Sequence, residues 1–120
     1  AGHPLPVCLS AHGQVKWCVE NHSQCGPALA LIDQANYSTM HQTIHPGDAL
    51  VMFTDGIFEI ASSDEDEYGE QRLLESFQRH RHLPLPQLFP MILKEARQFA
   101  GEQAFDDDVC LVGFQLHQPR

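Results

Sequence analysis

The stretch ALVMFTDG, residues 49–56, places five apolar residues before a threonine, an aspartate and a glycine. An apolar run of this length that ends at turn-forming residues predicts a strand buried from water on both faces. Asp55 follows it directly, so an ionisable carboxylate lies at the end of a buried strand. A charge in that position is costly unless something neutralises it. The fold and the function of the chain both depend on what lies beside Asp55.

The segments before this strand predict further antiparallel pairing. Residues 7–10 and 15–19 are short apolar runs around Ala11-His12-Gly13-Gln14, a pattern typical of a β-hairpin. Residues 37–44 alternate in polarity and contain β-branched side chains, which predicts a half-exposed strand. The next four residues, His45-Pro46-Gly47-Asp48, have the signature of a type II turn. We therefore expect residues 37–44 and 49–54 to be antiparallel neighbours.

The segments after this strand predict two helices and a last strand. Residues 70–80 carry Leu73, Leu74 and Phe77 on one helical face. A second helix runs to Ala100, and we expect it to start after Pro86, because Pro90 is tolerated only near a first turn. Residues 109–116 form the final strand. Consecutive helices and hairpin-linked strands indicate an α+β fold with an antiparallel sheet.

Acidic residues lie at the ends of two predicted strands. Asp55 ends one strand, and the triplet Asp106-Asp107-Asp108 precedes the last one. If these strands are antiparallel neighbours, the carboxylates meet at one end of the sheet and repel one another unless a cation neutralises them. Clustered carboxylate oxygens are the ligands that Mg²⁺ or Mn²⁺ prefers. An Asp-Gly pair by itself is often only a turn, and an acidic triplet by itself is often a solvated loop. A metal site is favoured because the two segments are expected to lie at the ends of neighbouring strands.

Composition excludes several classes of function. Seven basic and sixteen acidic residues give a net charge of −9, which disfavours nucleic acid and acidic membrane surfaces as partners. The sequence contains no GxSxG, Walker or GxGxxG motif, so it shows no serine nucleophile elbow or nucleotide loop. The histidines are expected at the surface or in turns. Four cysteines without a CxxC pair, and a start without signal-peptide character, predict free thiols in a cytoplasmic protein.

Four ordered motifs give the chain a resemblance to a known family. They are AGHPLP at 1–6, PGDALVMFTDGIFE at 46–59, YGEQRL at 68–73 and DDDVCLV at 106–112. In order and spacing they resemble the SpoIIE/RsbU-like bacterial serine/threonine phosphatases of the protein phosphatase 2C superfamily. The resemblance implies that residues 1–120 are the C-terminal part of a single domain. That domain is an αββα sandwich, in which two antiparallel sheets are flanked by helix pairs.

The resemblance also implies site residues. Asp55 matches a metal-ligating aspartate of the family, and Asp107 matches a second one. Asp108 is the ligand if the register shifts by one, and the choice within the triplet that begins at Asp106 stays open. Gly56 matches a glycine that lets the chain turn sharply beside the metals.

Two further motif residues border the active-site region in the family. Gly2 and His3 match its AGH motif, whereas Glu59 and Gly69 match positions with a structural role. None of these residues is expected to act as a nucleophile, because the reaction implied by the resemblance uses a metal-activated water.

The function implied by the resemblance is hydrolysis of phosphoserine or phosphothreonine in a protein. Two Mn²⁺ or Mg²⁺ ions in the complete domain activate a water for in-line attack on phosphorus. The implied substrate is an anti-sigma factor antagonist, and the implied setting is the output domain of a bacterial signalling protein with a receiver or sensor domain. The alternative is a degenerate phosphatase-like adaptor that binds a partner protein without catalysis.

The chain departs from the family pattern in three places. The upstream half of the domain, with an Asp-Gly pair whose aspartate bridges both metals, does not occur in these 120 residues. We therefore expect the chain to form only part of a two-metal site. Ala28 and Ala30 stand where the family usually has proline and glycine, and Phe58 stands where a small polar residue is common. The alanines are expected to reshape the substrate cleft.

Overall fold

A computed structural model describes residues 2–19, 26–64, 66–101 and 104–117 of the chain. It contains four strands: β1 (Val7–Leu9), β2 (Val15–Trp17), β3 (Ala49–Phe53) and β4 (Leu111–Gln115). Between β3 and β4 lie a short 3₁₀ turn, Asp55–Ile57, and two helices, α1 (Gly69–His80) and α2 (Leu85–Phe99).

The strands form one antiparallel sheet in the order β2-β1-β3-β4. The hairpin expected from the first two apolar runs is confirmed, with Val7 opposite Trp17. On its other side β1 pairs with β3, so that Val7 also faces Val51. The strand β3 pairs along its full length with β4, from Ala49 opposite Gln115 to Phe53 opposite Leu111. The predicted α+β class with an antiparallel sheet is confirmed.

The strand predicted for residues 37–44 is wrong. These residues have no regular secondary structure, and most of them are exposed. Both hydrogen-bonding edges of β3 are occupied by β1 and β4, so no edge is left for a third partner. Alternation of polarity in the sequence does not distinguish a paired strand from an extended segment on the surface.

The turn that follows this segment has the expected geometry. The N–H of Asp48 donates to the carbonyl of His45 over 2.9 Å, and Gly47 has φ of 93°. A positive φ at the third position is what a type II turn requires. The carboxylate of Asp48 accepts hydrogen bonds from the N–H groups of Ala11 and His45. These bonds lower its pKa and tie the turn to the β1–β2 hairpin.

The core lies between one face of the sheet and the two helices. Helix α1 buries Leu73 and Phe77, four residues apart, as its sequence pattern predicted. Its first turn contains Glu70 and its last turn Arg79, an arrangement that suits the helix dipole. The largest fully buried side chains from the strands, the 3₁₀ turn and the helices are Val7, Val51, Ile57, Leu73, Ser76, Phe77, Leu88 and Ile92.

Helix α2 begins earlier than the sequence suggested. It starts at Leu85, with Pro86 in the first turn, and Pro90 lies inside the helix. The expectation of a start after Pro86 is therefore wrong. Pro90 has no N–H, so the carbonyl of Pro86 lacks its usual hydrogen bond within the helix. Both prolines are exposed, so water can bond to this carbonyl instead. The buried stripe consists of Leu88, Ile92 and Ala96.

No described helix covers the other face of the sheet, so the expectation that the strand at 49–53 is buried on both faces is wrong. Met52, Val112 and Phe114 are 43%, 52% and 54% exposed, whereas Gly113, between the last two, approaches Phe89 of α2. The described residues therefore form one sheet and one helix pair. The second sheet and second helix pair of the predicted sandwich are not among them.

The prediction of free thiols is wrong for two cysteines. Cys8 in β1 and Cys18 just after β2 form a disulfide, with their Cα atoms 5.4 Å apart. Cys8 faces Lys16, so Cys18 lies diagonally across the hairpin on the same face of the sheet. This proximity depends on hairpin register, which spacing along the chain does not reveal. Cys110 is free and exposed, and Cys25 lies outside the described residues.

Candidate active site at one end of the sheet

Pairing of β3 with β4 brings the acidic residues to one end of the sheet. The last paired residues are Phe53 and Leu111, and the N–H of Thr54 then donates to the carbonyl of Cys110 over 3.1 Å. Asp55 follows Thr54, and Asp108 precedes Cys110 by two residues. The predicted antiparallel neighbourhood of these two strands is confirmed.

Gly56 lies against the backbone of the acidic triplet. It is buried, and a Cβ atom at this position would lie 2.6 Å from the carbonyl oxygen of Asp108 and 3.3 Å from the carbonyl carbon of Asp107. Real Cβ atoms do not approach a backbone oxygen this closely, so only glycine fits without displacing the chain. The sequence predicted a sharp turn at Gly56. The structure shows in addition that Gly56 packs closely against the backbone of Asp107 and Asp108.

Asp55 lines a cleft of about 310 Å³. The residues that line it come from the N-terminal segment, the 3₁₀ turn and the start of α1: Gly2, His3, Pro4, Leu5, Asp55, Phe58, Glu59 and Glu70. Gly2 and His3 therefore share this cleft with Asp55, although 52 residues or more separate them in sequence. Of the described residues, none forms an ion pair or a side-chain hydrogen bond with the Asp55 carboxylate.

The N-terminal segment is held beside this cleft by backbone contacts. The N–H of Gly2 donates to the carbonyl of Gly26 over 2.9 Å, and Gly2 has φ of 64°. A Cβ at Gly2 would lie 2.9 Å from Ala28. The segment around Ala28 thus sets the position of the wall that Gly2 and His3 form.

Asp107 and Asp108 are exposed at the start of β4. The carboxylate of Asp107 accepts a hydrogen bond from the N–H of Asp108 over 2.7 Å. In the part of the chain that the structure describes, no group of three or more histidine, cysteine or acidic side chains is close enough to hold a metal ion. The donor chemistry suits a hard divalent cation, and Asp55 with one aspartate of the triplet would supply part of its ligand set.

Two glutamates of the cleft were not singled out as site residues. The sequence analysis gives Glu59 a structural role, and Glu70 lies in the first turn of α1. Glu59 follows Asp55 by four residues, and its N–H donates to the carbonyl of Asp55 over 2.9 Å. Both residues line the cleft because the chain folds into a 3₁₀ turn at Asp55–Ile57, which the sequence analysis did not predict.

A second acidic site, between the helices, was also missed. Glu95 of α2 accepts hydrogen bonds from the hydroxyl of Ser76 and from Arg79, whose Nη2 lies 2.7 Å from Oε2. The Nε2 atom of His80 lies 2.7 Å from Oε1. His80, expected at the surface or in a turn, is half-buried in this network. Burial alone would raise the pKa of Glu95, but these bonds outweigh it and lower that pKa to about 2.

The fold places the chain in a structural class. It resembles the SiaA-PP2C domain of Pseudomonas aeruginosa with a TM-score of 0.72 at 20% sequence identity. The alignment covers 93% of this chain and 43% of that one. The antiparallel sheet with its helix pair thus has the fold of part of a PP2C domain.

The family follows from the sequence comparison. The sequence model of the family described as Stage II sporulation protein E (SpoIIE) matches residues 1–117, and the chain belongs to this family of PP2C-type phosphatase domains. A relative, Protein IcfG of Synechocystis sp., is 29% identical over 76 residues. That match covers 63% of this chain and 11% of IcfG. Within the described ranges, no helix is both long enough and apolar enough to cross a bilayer.

Proposed function

We propose that the chain forms one side of the active site of a metal-dependent protein serine/threonine phosphatase. Residues 1–120 are, in this proposal, the C-terminal part of a single domain. The observation that carries it is the pairing of Phe53 with Leu111, which brings Asp55 and the acidic triplet to one end of the sheet in a chain of the SpoIIE family.

The metal ligands in this proposal are Asp55 and Asp107, with Asp108 in place of Asp107 if the register shifts by one. The complete domain holds two Mn²⁺ or Mg²⁺ ions, and the remaining ligands come from outside this chain. When bound, such ions activate a water and stabilise charge on the transferred phosphoryl group.

The charge of the cleft explains why cations are needed there. Asp55, Glu59 and Glu70 line it, and His3 is the one basic side chain among its described lining residues. A phosphate monoester carries negative charge and is repelled by these carboxylates unless divalent ions reverse the local potential. The protein residues then orient the cations and form the walls, while Gly2 and His3 border the substrate.

The proposed substrate is a phosphoserine or phosphothreonine protein, and the family resemblance favours an anti-sigma factor antagonist. The proposed setting is the output domain of a bacterial signalling protein that acts in the cytoplasm under a receiver or sensor domain. The net charge of −9 disfavours nucleic acid and anionic membranes as further partners.

The test uses the protein as its gene encodes it, with a phosphoprotein substrate, with and without Mn²⁺. Loss of a residue that only orients a metal ligand already lowers metal affinity or activity by about 10- to 100-fold. We therefore expect Asp55→Asn and Asp107→Asn each to lower Mn²⁺-dependent turnover by about 100-fold or more. Asp64→Asn, in an exposed acidic loop, is the matched control and should keep full turnover.

Two outcomes contradict the proposal. Full metal-dependent turnover in both Asp55→Asn and Asp107→Asn shows that the site assignment is wrong. Binding of the phosphoprotein by the wild type without hydrolysis in Mn²⁺ supports the alternative function, a phosphatase-like adaptor.

A further inference from the structure

We propose that Thr54 is a positioning residue whose hydroxyl holds the start of β4 against the end of β3. It thereby sets the separation between Asp55 and the aspartates at 107 and 108. This inference rests on the proposed function, because its consequence is a change in metal binding at that end of the sheet.

Three hydrogen bonds join Thr54 to the start of β4. Its hydroxyl Oγ1 donates to the carbonyl of Asp108 over 2.8 Å and accepts from the N–H of Cys110 over 2.9 Å. Its own N–H donates to the carbonyl of Cys110 over 3.1 Å. One side chain thus contacts both the last residue of the acidic triplet and the residue two positions later.

These bonds lie where regular strand pairing has stopped. The ladder between β3 and β4 ends with Phe53 opposite Leu111. Among the described residues, Thr54 makes all the hydrogen bonds that connect residues 106–110 to the end of β3 or to the 3₁₀ turn. The described hydrogen bonds that hold the triplet near Asp55 therefore all involve this one residue.

Gly56 lies close to the same carbonyl. The oxygen of Asp108 that accepts the Thr54 hydroxyl also lies 2.6 Å from where a Cβ of Gly56 would be. A side chain at position 56 would therefore displace the oxygen to which Thr54 donates. Gly56 allows the two segments to approach, and Thr54 fixes how they approach.

The chemistry of the contact requires a hydroxyl. Thr54 donates one bond and accepts another through the same oxygen, which a hydroxyl can do and a methyl group cannot. Valine has nearly the same shape and removes both bonds. Asp108 and Cys110 are exposed, so water can bond to the freed groups, and five paired positions still hold β3 to β4. The change should loosen the triplet without unfolding the sheet.

The experiment compares Thr54→Val and Thr54→Ser in the protein as its gene encodes it. Isothermal titration with Mn²⁺ alone measures metal affinity, and amide hydrogen exchange measures protection of the Cys110 N–H. We expect Thr54→Val to weaken Mn²⁺ binding by about tenfold, as for other residues that orient ligands, and to speed exchange at Cys110. Thr54→Ser should restore both to near the wild-type values.

A stability-matched control separates positioning from general loosening. Ile92→Val removes one methyl group from the buried face of α2, and Ile92 is not among the described residues that line the cleft; its melting temperature is compared with that of Thr54→Val. If Ile92→Val weakens Mn²⁺ binding as much as Thr54→Val does, the inference is overturned. It is also overturned if Thr54→Val binds Mn²⁺ as the wild type does.

The proposed function and this inference fail in different ways. A wild type that binds no Mn²⁺ overturns the proposed function and, with it, the role of Thr54 in metal binding. A wild type that binds Mn²⁺ with the same affinity as Thr54→Val overturns only the inference about Thr54.

Discussion

The molecule contains two groups of acidic residues with opposite surroundings. Glu95, between α1 and α2, accepts bonds from the hydroxyl of Ser76 and from Arg79, and it contacts the ring of His80. Asp55, at the end of β3, has no ion pair and no side-chain hydrogen bond with any residue that the structure describes. One carboxylate has partners in the protein, and the other has none among the described residues.

This difference gives Glu95 a structural role, and it supports the binding role that we propose for Asp55. The partners of Glu95 come from α1 and lower its pKa to about 2, so the charge stabilises the packing of two helices. The triplet near Asp55 is held by the Thr54 hydroxyl and by the close packing of Gly56, both against the backbone of Asp108, and neither contact neutralises charge. A carboxylate that is positioned but not neutralised is suited to a cation.

The largest effect on stability should come from Gly56→Ala. The new Cβ would lie 2.6 Å from the backbone oxygen of Asp108, and backbone moves less readily than a side chain. We expect a loss of about 1–3 kcal/mol in the free energy of unfolding, as for other overpacked sites. Urea denaturation measures this loss, and Mn²⁺ titration of the folded variant should show weaker binding.

Gly113→Ala is the matched control for this change. Its Cβ would meet the side-chain ends of Phe89 and Leu85 at 2.7 and 2.8 Å, and these can shift. We expect a loss below about 1 kcal/mol, because reduced freedom of the unfolded chain offsets part of the strain. Mn²⁺ affinity should not change. Equal effects of both substitutions on Mn²⁺ binding would remove the special role given to Gly56.

The next effect in size should come from Glu95→Gln. It weakens the bonds to Ser76 and Arg79, and we expect a loss of about 1–2 kcal/mol once the partial exposure of the pair is taken into account. Glu75→Gln, on the exposed face of α1, changes the net charge equally and should cost only a few tenths of a kcal/mol. If the two variants unfold at the same urea concentration, Glu95 does not stabilise the helix pair.

The same network predicts a dependence of stability on acid. The pKa of Glu95 falls from its usual value of 4.5 to about 2 in the folded chain. Its contribution is therefore complete above about pH 4.5 and is lost as the pH falls towards 2. The difference in unfolding free energy between the wild type and Glu95→Gln should shrink over this interval. A difference that stays constant from pH 5 to pH 2 would contradict the assignment.

The smallest effect on stability should come from Asp55→Asn. Without metal, removal of a charge that has no protein partner should change the free energy of unfolding by less than about 0.5 kcal/mol. Thermal unfolding in a chelating buffer measures this change, and addition of Mn²⁺ should then stabilise the wild type more than the variant. A large loss in the chelating buffer would place Asp55 in the structural group with Glu95.

Sequence reasoning recovered the elements whose pattern is local. The apolar run at 49–53, the type II turn at 45–48 and the face of α1 with Leu73 and Phe77 follow from periodicity and turn chemistry. Adjacency of Asp55 and the triplet was also predictable, because it needs only the pairing of two strands and not the details of side-chain packing.

The features that sequence reasoning missed depend on partners distant in the chain. Residues 37–44 alternate like a strand, but both edges of β3 are occupied. Cys8 and Cys18 meet only because the hairpin register places them on a diagonal. Nothing local to Glu95 shows that Ser76 and Arg79 lie across from it on another helix.

By itself the sequence determined most of the strands and helices, since hydrophobic periodicity and turn residues act over a few positions, but it misplaced a strand at 37–44 and the start of α2. Only the tertiary structure decided which carboxylates keep protein partners. The helix packing gives Glu95 its hydroxyl and basic neighbours, whereas Thr54 and Gly56 hold the triplet through the backbone of Asp108 and supply no opposite charge. The physical reason is that neutralisation of a charge requires a partner within a few ångströms, and that distance is set by packing rather than by order along the chain.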